Sequence, residues 1–356
     1  MDNLIRLQSA ICAAELDALL LIDARNRYYA TGFHSTDGAV AVTPDKAYFI
    51  TDSRYIEAAR ETIGDRAEVI LCDRERPMRQ CLQTILSDCA VQKLGAEDGS
   101  LTYADYLRFE RILGLRLIPA QQLVMQLRQS KQPHELDYLR QAQAITDRAF
   151  AEVLPLIRPG VTEREIAAEL VYRMLKHGGE GNSFDPIVVT GRKTSMPHGV
   201  PGDVAVQNGD FVTMDFGCLK GGYCSDMTRT VAVGHASEEM RKVYATVLEA
   251  QRAGIAAARA GVTGAEIDGA ARSVIANAGY GPYFGHSFGH SLGLDIHEAP
   301  NAAPNNDQPM PEHAVVSAEP GVYLPGRFGV RIEDVLHLTA GGAEDITNSP
   351  KELLIL

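Results

Sequence analysis

The sequence predicts two domains, an α/β domain followed by an α+β domain that contains an internal duplication. Three observations support this prediction. The chain has 356 residues, which is more than one hydrophobic core usually organises. Short apolar strands alternate with helical stretches over residues 1–130, and a nine-residue pattern in the remainder of the chain recurs 101 residues later.

The alternation of strands and helices in residues 1–130 is typical of an α/β domain. Strands are predicted from short apolar runs at residues 16–22, 39–42, 47–50, 69–72 and 94–96. Helices are predicted from the spacing of apolar side chains at residues 55–62, 78–87 and 103–113. The polar, proline-containing segment 128–134 then separates this domain from the second, residues 131–356, which we expect to begin with a long helix over residues 134–157.

An internal repeat is the main organisational feature of residues 131–356. The segment Arg158-Pro-Gly-Val-Thr-Glu-Arg-Glu-Ile166 recurs as Arg259-Ala-Gly-Val-Thr-Gly-Ala-Glu-Ile267. In each copy a threonine is followed three residues later by a glutamate, which is the pattern of a helix capping box. The alternative is that two unrelated capping boxes look alike. The preferred interpretation is a duplicated unit whose two halves face each other across a cleft.

Two aspartates fall on neighbouring predicted strands in the first half of this domain. Residues 204–208, 211–218 and 225–233 read as strands, and residues 220–223 have the composition of a hairpin turn. Alternation then allows Asp215 and Asp226 to lie side by side on the polar face of the hairpin. Because two partly buried carboxylates repel each other, one protonates unless a cation lies between them.

The second half contains a matching pair of carboxylates and a histidine-rich segment. Glu319 ends a predicted strand over residues 314–319, and Glu333 lies within another over residues 329–338. Between the two halves, residues 285–298 contain His286, His290 and His297 among glycines. Since glycine disfavours a helix, an extended loop or strand is expected, and His286 and His290 need not bind one ion together.

These residue types suit a metal site. Four carboxylates and one imidazole form a hard, oxygen-rich set of ligands that suits Mn²⁺ or Co²⁺ better than a thiolate-type zinc site. Four anionic ligands exceed what one divalent ion requires, so two neighbouring ions are the more plausible content. An aspartate in a strand is more often a structural hydrogen-bond acceptor, but the matched placement in a duplicated domain favours the metal site.

The motifs that carry these residues resemble a known family. In order, they resemble the five metal-ligand motifs of the pita-bread metallopeptidases: Asp215-Phe-Gly, Ser225-Asp226-Met-Thr-Arg-Thr230, Gly289-His290-Ser-Leu-Gly-Leu-Asp-Ile-His297-Glu298, Glu319-Pro-Gly-Val-Tyr323 and Arg331-Ile-Glu333-Asp334. The segment from Gly191 to Gly199 is similar to the motif that carries the first active-site histidine of that family. The resemblance covers residues 130–350 and implies a pita-bread catalytic domain with a pseudo-two-fold duplication.

The resemblance implies a role for each matching residue. Asp215 would bind one ion, His290 and Glu319 the other, and Asp226 and Glu333 would bridge both. Three residues would position substrate, assist proton transfer or stabilise the tetrahedral intermediate: His198, His286 and His297. Glu319 would also take a proton, and Arg331 would support the site. The sequence departs from the family at Lys193 and Ser195, where many members have Asn and Ala, and this departure bears on substrate preference.

The preceding domain resembles the creatinase/prolidase N-terminal domain of the Xaa-Pro branch, including Thr51-Asp-Ser-Arg-Tyr55. That extension argues against methionine aminopeptidase. The resemblance therefore implies an Xaa-Pro aminopeptidase with two divalent ions, Mn²⁺ first and Co²⁺ or Zn²⁺ as alternatives, acting on small peptides with proline in second position. A strict Xaa-Pro dipeptidase (prolidase), a metal-free creatinase-like amidinohydrolase and a non-catalytic binding protein are the alternatives.

Amino-acid composition limits the classes of partner and the cellular location that we expect. With 46 acidic and 34 basic residues the net charge is -12, which argues against a nucleic-acid partner. Neither a signal peptide nor an apolar stretch of membrane-spanning length is expected, so we expect a cytoplasmic protein without a membrane partner. Six scattered cysteines are expected to be reduced. The resemblance also implies a homodimer.

Overall fold

The computed structural model describes residues 2–356 and divides the chain into two compact units, Met1–Arg128 and Gln129–Leu356. None of the helices within residues 2–356 is long and apolar enough to cross a membrane. The six cysteines are all free thiols, and Cys81, Cys218 and Cys224 are buried.

The first unit is an α/β domain built on one six-stranded sheet. Its helices are α1 Asn3–Ala13, α2 Ala24–Thr31, α3 Ile56–Ile63, α4 Met78–Asp88, α5 Tyr103–Leu113 and α6 Gln121–Gln129, the last of which runs one residue beyond the unit. Its strands are β1 Ala18–Leu21, β2 Ala39–Val42, β3 Ala47–Thr51, β4 Glu68–Leu71, β5 Leu94–Ala96 and β6 Leu117–Pro119. The sheet order is β4-β3-β2-β1-β5-β6, with antiparallel pairing at β1–β2 and β2–β3 and parallel pairing elsewhere.

All five strands predicted in this unit are present, while three helices and β6 were not predicted. Helix α2 shows why, because its sequence is mostly polar and has no amphipathic period. Its ends are instead defined by Asp23, whose side chain accepts from the first backbone N–H groups, and by Gly32 in the left-handed conformation at φ 71°. Capping rather than apolar spacing therefore defines this helix.

The second unit contains four helices and twelve strands within the part of the chain that the structure describes. The helices are α7 Pro133–Val153, α8 Glu163–Lys176, α9 Glu238–Ala257 and α10 Gly264–Asn277. The first strands are β7 Ile187–Thr190, β8 Phe211–Phe216, β9 Leu219–Lys220, β10 Tyr223–Cys224, β11 Met227–Ala232 and β12 Gly289–Ser291. The others are β13 Glu298–Ala302, β14 Val315–Ala318, β15 Gly321–Leu324, β16 Phe328–Arg331, β17 Asp334–Thr339 and β18 Gly342–Asp345.

The strands of this unit form two main antiparallel sheets, each packed against one pair of helices. The first has the order β11-β8-β7, and the second has the order β13-β12-β14-β17-β18. Phe150 of α7 and Leu170 of α8 share a hydrophobic core with Val212 of β8. Val247 of α9 and Ile267 of α10 belong to a second core, which includes residues of β14 and β17. The predicted α+β duplication is confirmed.

The two predicted capping boxes are both formed. Thr162 caps α8 and Thr263 caps α10, and each accepts a hydrogen bond from the backbone N–H of the glutamate three residues later. In return, the glutamate side chain accepts from the threonine N–H, at 2.8 Å in the first copy and 2.9 Å in the second. The repeat in the sequence thus marks the start of the equivalent helix in each half.

Two predicted strands are wrong. Residues 204–208 do not form a strand, since only Ala205 makes an isolated bridge, to Thr162. Residues 329–338 form two strands instead of one, because β16 pairs with β15 whereas β17 pairs with β14. The chain changes partner at Ile332 and Glu333, which places Glu333 in the break between strands.

Candidate active site

A cavity of about 580 Å³ in the second unit contains every residue that the sequence predicted for the site. Those residues are His198, Asp215, Asp226, His286, His290, His297, Glu319, Arg331 and Glu333. Apolar side chains, including Phe184, Ile187, Val200 and Ile296, complete the lining. A concave, largely apolar pocket with a few convergent polar groups is the usual form of a binding site for small molecules.

Strand pairing brings the carboxylates of the first half together. Asp215 lies on β8 and Asp226 immediately precedes β11. The register pairs Asp215 with Thr228, so Asp226 is the diagonal neighbour of Asp215 and does not lie directly beside it, as alternation alone had suggested. The turn between them is the predicted hairpin, with Gly221 and Gly222 at φ 55° and 74°.

The carboxylates of the second half occupy the breaks between strands. Glu319 separates β14 from β15, and Glu333 separates β16 from β17. Thr228 links Glu333 to the first half, since its carbonyl accepts from the Glu333 N–H at 3.0 Å and its hydroxyl donates to Glu333 Oε2 at 2.6 Å. Ser317 holds two other site residues, because its Oγ accepts from the His290 N–H and donates to Glu319 Oε1, each at 3.1 Å.

Three side chains converge closely enough to share one cation. One ligand atom each from Asp226, His290 and Glu333 lies within 4.8 Å of the other two. His290 Nε2 is 3.6 Å from Asp226 Oδ2 and 3.3 Å from Glu319 Oε1. In addition, Asp215 Oδ1 is buried without a hydrogen-bond partner among the described residues. A buried carboxylate oxygen without a donor is expected where a ligand binds.

The protonation state of His290 also favours a cation between these side chains. Its Nδ1 lies 3.1 Å from the Ser291 carbonyl, which can only accept, so Nδ1 carries a proton. Burial lowers the pKa of His290, which favours the neutral ring and leaves a lone pair on Nε2. That lone pair faces carboxylate oxygens, which also have only lone pairs when ionised. A cation satisfies such an arrangement of acceptors, so the residues fit a divalent metal.

Two of the carboxyl groups have pKa values raised well above the usual range. Burial raises the pKa of Asp226 well above its usual range, and the charges of Asp215 and Glu319 add to the effect. Burial likewise raises the pKa of Glu333, with Asp226 as the main charged neighbour. Because buried like charges repel, these groups can all ionise together at neutral pH only with compensating positive charge.

Arg331 supplies part of that charge, and its side chain donates four hydrogen bonds within the protein. Burial opposes its ionisation, but Tyr323 and Asp215 hold its pKa well above the usual value. Its guanidinium donates to Asp215 Oδ2, to Tyr323 Oη at 2.8 Å and to Thr228 Oγ1 at 3.0 Å. A further hydrogen bond of 3.3 Å reaches the Pro197 carbonyl. Arg331 therefore orients Asp215 and supports one wall of the pocket.

Both ring nitrogens of His286 form hydrogen bonds within the protein. Nδ1 is 2.9 Å from the Ser287 carbonyl and therefore carries a proton, and burial lowers the pKa of the ring. The neutral ring then accepts at Nε2 from the Tyr323 hydroxyl at 2.9 Å. Burial raises the pKa of Tyr323 to about 12, which keeps its proton in place. As arranged, His286 has no N–H left to donate to a substrate.

The other two histidines lie at the mouth of the cavity. His297 is exposed, and its ring centroid lies 4.3 Å from that of His290 in an edge-to-face arrangement. His198 is exposed on the loop that follows the short 3₁₀ helix Gly191–Ser195. Both rings are accessible to a molecule that enters the cavity.

The sequence interpretation assigned no role to Tyr323, Thr228 or Ser317. A signal for Tyr323 was present, since alternation in an extended chain places residues 319, 321 and 323 on one side. For Thr228 and Ser317 the contacts cross between strands that are distant in sequence, and no local pattern marks them. The roles of Thr228 and Ser317 therefore become apparent only from the strand pairing in the structure.

The fold and the site together define a hydrolase of the pita-bread class with a cluster of acidic and imidazole side chains. Residues 137–340 match metallopeptidase family M24, and residues 4–130 match the creatinase/prolidase N-terminal domain. The chain belongs to metallopeptidase family M24. The predicted fold, the resemblance and the class of metal-dependent peptidase are confirmed.

Relatives over the full length carry two kinds of name. The structure of an Xaa-Pro dipeptidase from Bacillus anthracis is 42% identical with a TM-score of 0.95, covering 100% of this chain and 99% of that one. An X-Pro aminopeptidase structure from Thermotoga maritima is 35% identical with a TM-score of 0.93, covering 98% and 100%. An Xaa-Pro dipeptidase from Pyrococcus furiosus is 34% identical over 95% of each chain.

Proposed function

We propose that the protein is a metal-dependent Xaa-Pro aminopeptidase that removes the first residue of peptides with proline in second position. The observation that carries this proposal is the cluster in which the His290 lone pair faces the carboxylates of Asp226, Glu319 and Glu333. Such a cluster, placed in a concave pocket of a family M24 chain, supports hydrolysis assisted by metal ions.

We assign five residues as ligands of two divalent ions. Asp215 would hold one ion, His290 and Glu319 would hold the other, and Asp226 and Glu333 would contribute to both. Mn²⁺ is the first candidate because the ligands are mostly hard oxygens, and Co²⁺ and Zn²⁺ are alternatives. When bound, the two ions supply Lewis acidity and allow water to act as a nucleophile at neutral pH.

The side chains of the pocket divide the remaining tasks. Glu319, oriented by Ser317 Oγ at 3.1 Å, accepts a proton from the attacking water and transfers it to the proline nitrogen as the bond breaks. The proline nitrogen leaves as an amine only when it gains a proton, and this transfer supplies it. His297 donates to the oxygen of the scissile carbonyl and stabilises the developing charge, while His198 positions the peptide.

For His286 we propose a different task. Since both of its ring nitrogens are engaged, we place it behind the site, where it fixes the Tyr323 hydroxyl that in turn receives a hydrogen bond from Arg331. Through Arg331 this chain of hydrogen bonds reaches Asp215. His286 and Arg331 thus support the ligands from behind.

Substrate length distinguishes an aminopeptidase from a dipeptidase. A dipeptidase must bind the carboxylate of the terminal proline, whereas an aminopeptidase must leave space for further residues. Among the described residues that line the cavity, Arg331 is the single Lys or Arg, and it is committed to Asp215 and Tyr323. This commitment favours the aminopeptidase. The dipeptidase remains the second candidate because two of the relatives above carry that name.

The test is hydrolysis of Ala-Pro and Ala-Pro-Ala by chelated protein, before and after addition of Mn²⁺, with Ala-Ala-Ala as the control. Cleavage restored by the metal, confined to the bond before proline and faster on Ala-Pro-Ala, is the expected result. Faster cleavage of Ala-Pro would replace the aminopeptidase by the dipeptidase. If no proline peptide is cleaved by protein that holds two ions, the proposal is wrong.

A further inference from the structure

The His198 loop, residues 197–202, forms one wall of the cavity and carries one of the proposed substrate-positioning groups. Residues 197–201 line the cavity. The loop follows the 3₁₀ helix Gly191–Ser195 and makes a tight turn, with the Gly199 N–H donating to the Met196 carbonyl at 3.1 Å. Gly199 packs so closely on β7 that a Cβ at this position would lie 2.6 Å from Val189 Cγ1.

A buried carboxylate lies behind this loop. Glu163 is the first residue of α8, and its side chain has no exposed surface. Its Oε1 accepts from the Thr190 N–H at 2.9 Å, and its Oε2 accepts from the Gly202 N–H at 2.9 Å. Glu163 therefore connects the end of β7 to the far end of the His198 loop.

Lys193 completes this connection. Its ammonium forms an ion pair with Glu163 Oε2 and also donates to the Val200 carbonyl at 3.1 Å. One cation thus neutralises the buried carboxylate and holds the middle of the loop. Lys193 is also the residue at which the motif before His198 departs from the Asn of many family members.

Loss of the Lys193 ammonium should disturb the loop more than the loss of an exposed surface ion pair would. Removing one partner of a buried ion pair leaves an uncompensated charge, which costs far more than the loss of an exposed pair. The neighbouring pair Arg164–Asp203 joins the start of α8 to the residue that follows the loop, but its side chains are 65% and 85% exposed. Arg164 therefore offers a matched control.

We propose that Lys193, acting through Glu163, is a positioning residue that fixes the His198 loop and thereby sets the affinity for the peptide. This inference rests on the proposed function of the cavity. Lys193 contacts neither the ligand cluster nor, in this assignment, the reacting atoms. Its removal should consequently raise KM while the metal content remains that of the unaltered protein.

The experiment compares Lys193→Met, Lys193→Arg, Glu163→Gln and Arg164→Met with the unaltered protein, all loaded with Mn²⁺. The measurements are kcat and KM for Ala-Pro-Ala, bound metal, and hydrogen exchange of the amides in residues 196–202. Displacement of a binding group by about 1 Å costs up to about a hundredfold in rate. For Lys193→Met we expect kcat/KM to fall about tenfold, mainly through KM, with faster exchange of the loop.

Lys193→Arg should keep KM and the hydrogen exchange of the loop close to those of the unaltered protein, since a guanidinium can also donate to Glu163 Oε2 and to the Val200 carbonyl. Arg164→Met should change neither KM nor the exchange. Unaltered KM and unaltered exchange in Lys193→Met would overturn the inference. If that variant does not fold, Glu163→Gln, which keeps the volume but removes the charge, decides by the same criteria. Absence of proline-peptide cleavage by the unaltered protein would refute the proposed function, whereas the exchange measurement would still test the contact.

Discussion

At the scale of single residues, the site depends on a chain of hydrogen bonds behind the carboxylates. Tyr323 is its centre, because its hydroxyl donates to His286 Nε2 and accepts from Arg331 Nη1. The phenol is buried and its pKa is raised to about 12 by that burial. Its proton therefore stays on the oxygen throughout the neutral range, and the direction of the hydrogen bonds is fixed.

Tyr323→Phe should separate this support from the ligands themselves. The substitution leaves His286 Nε2 without a partner and removes one of the two hydrogen bonds that Arg331 Nη1 donates. The loss costs about 1–3 kcal/mol of stability. We expect the free energy of urea unfolding to fall by that amount, and kcat on Ala-Pro-Ala to fall about tenfold as Asp215 loses its fixed orientation. Unchanged kcat with unchanged stability would contradict the role given to Tyr323.

Asp226→Asn tests the proposed role of Asp226 as a bridging ligand. Because a bridging ligand contributes to both ions, the variant should lose bound metal, and kcat/KM should fall by about a thousandfold or more. Metal content by elemental analysis and turnover are measured on the same preparation. Asp307→Asn, which alters an exposed aspartate, is the control and should retain both. Full metal content with normal turnover in Asp226→Asn would rule out the bridging role.

At the scale of secondary-structure elements, the halves of the second unit are related by how their helices start. Thr162 and Thr263 make equivalent hydrogen bonds at the first turns of α8 and α10. The repeat was detectable because a capping box is local, with all of its atoms supplied within four residues. The breaks at Ile332 and Glu333 were not detectable, since they arise from a change of partner strand.

Replacing either cap by alanine should destabilise the protein to a similar degree. Thr162→Ala and Thr263→Ala each remove an acceptor for a backbone N–H, so each should cost about 1 kcal/mol in the free energy of unfolding. Ser273→Ala is the control in α10, because this exposed serine bonds only to a carbonyl one turn earlier and should change stability little. A loss of unfolding free energy in one of the two variants and not in the other would argue against equivalent starts of α8 and α10.

The C-terminal strand β18 should contribute a pH dependence of stability. Burial and the charge of Asp334 raise the pKa of Asp345 to about 6, although Lys351 forms an ion pair with it. A carboxyl group with a raised folded-state pKa stabilises the fold fully below the unfolded value near 4, and this contribution is lost as the pH rises to about 6. The loss amounts to at most about 3 kcal/mol.

Asp345→Asn removes this titration. Urea unfolding measured between pH 4 and pH 7 should show a difference in stability between the variant and the unaltered protein that grows with pH in favour of the variant. Taking the difference cancels the titration of the buried site carboxylates, which both proteins share. A difference that does not change with pH would show that Asp345 does not titrate in this range.

At the scale of the whole molecule, the proposed ligands come from separate segments spread over residues 215–333. Asp215 and Asp226 belong to the sheet of β8 and β11, and the other three ligands to segments around β12, β14 and β17. A metal that binds all of them holds both halves of the second unit together. It therefore binds the folded chain in preference to the unfolded one.

Metal should consequently stabilise the protein. A ligand present at about 100 times its dissociation constant adds about 2.7 kcal/mol, so Mn²⁺ should raise the thermal midpoint of the chelated protein and EDTA should reverse the shift. Asp226→Asn provides the control, because it should show a much smaller shift at the same Mn²⁺ concentration. Equal shifts in the two proteins would place the stabilising ion elsewhere.

The α/β and α+β classes, the two capping boxes and the nine candidate residues that line the cavity could be predicted from the sequence, because each depends on local periodicity or on a short motif. The three-dimensional structure was needed to show which strands pair, that Asp226 is the diagonal neighbour of Asp215, and that His286 is hydrogen-bonded to Tyr323. Those contacts join residues 11 to 37 positions apart. Their geometry follows from strand register and packing, and a linear pattern of residues does not encode either in a local form.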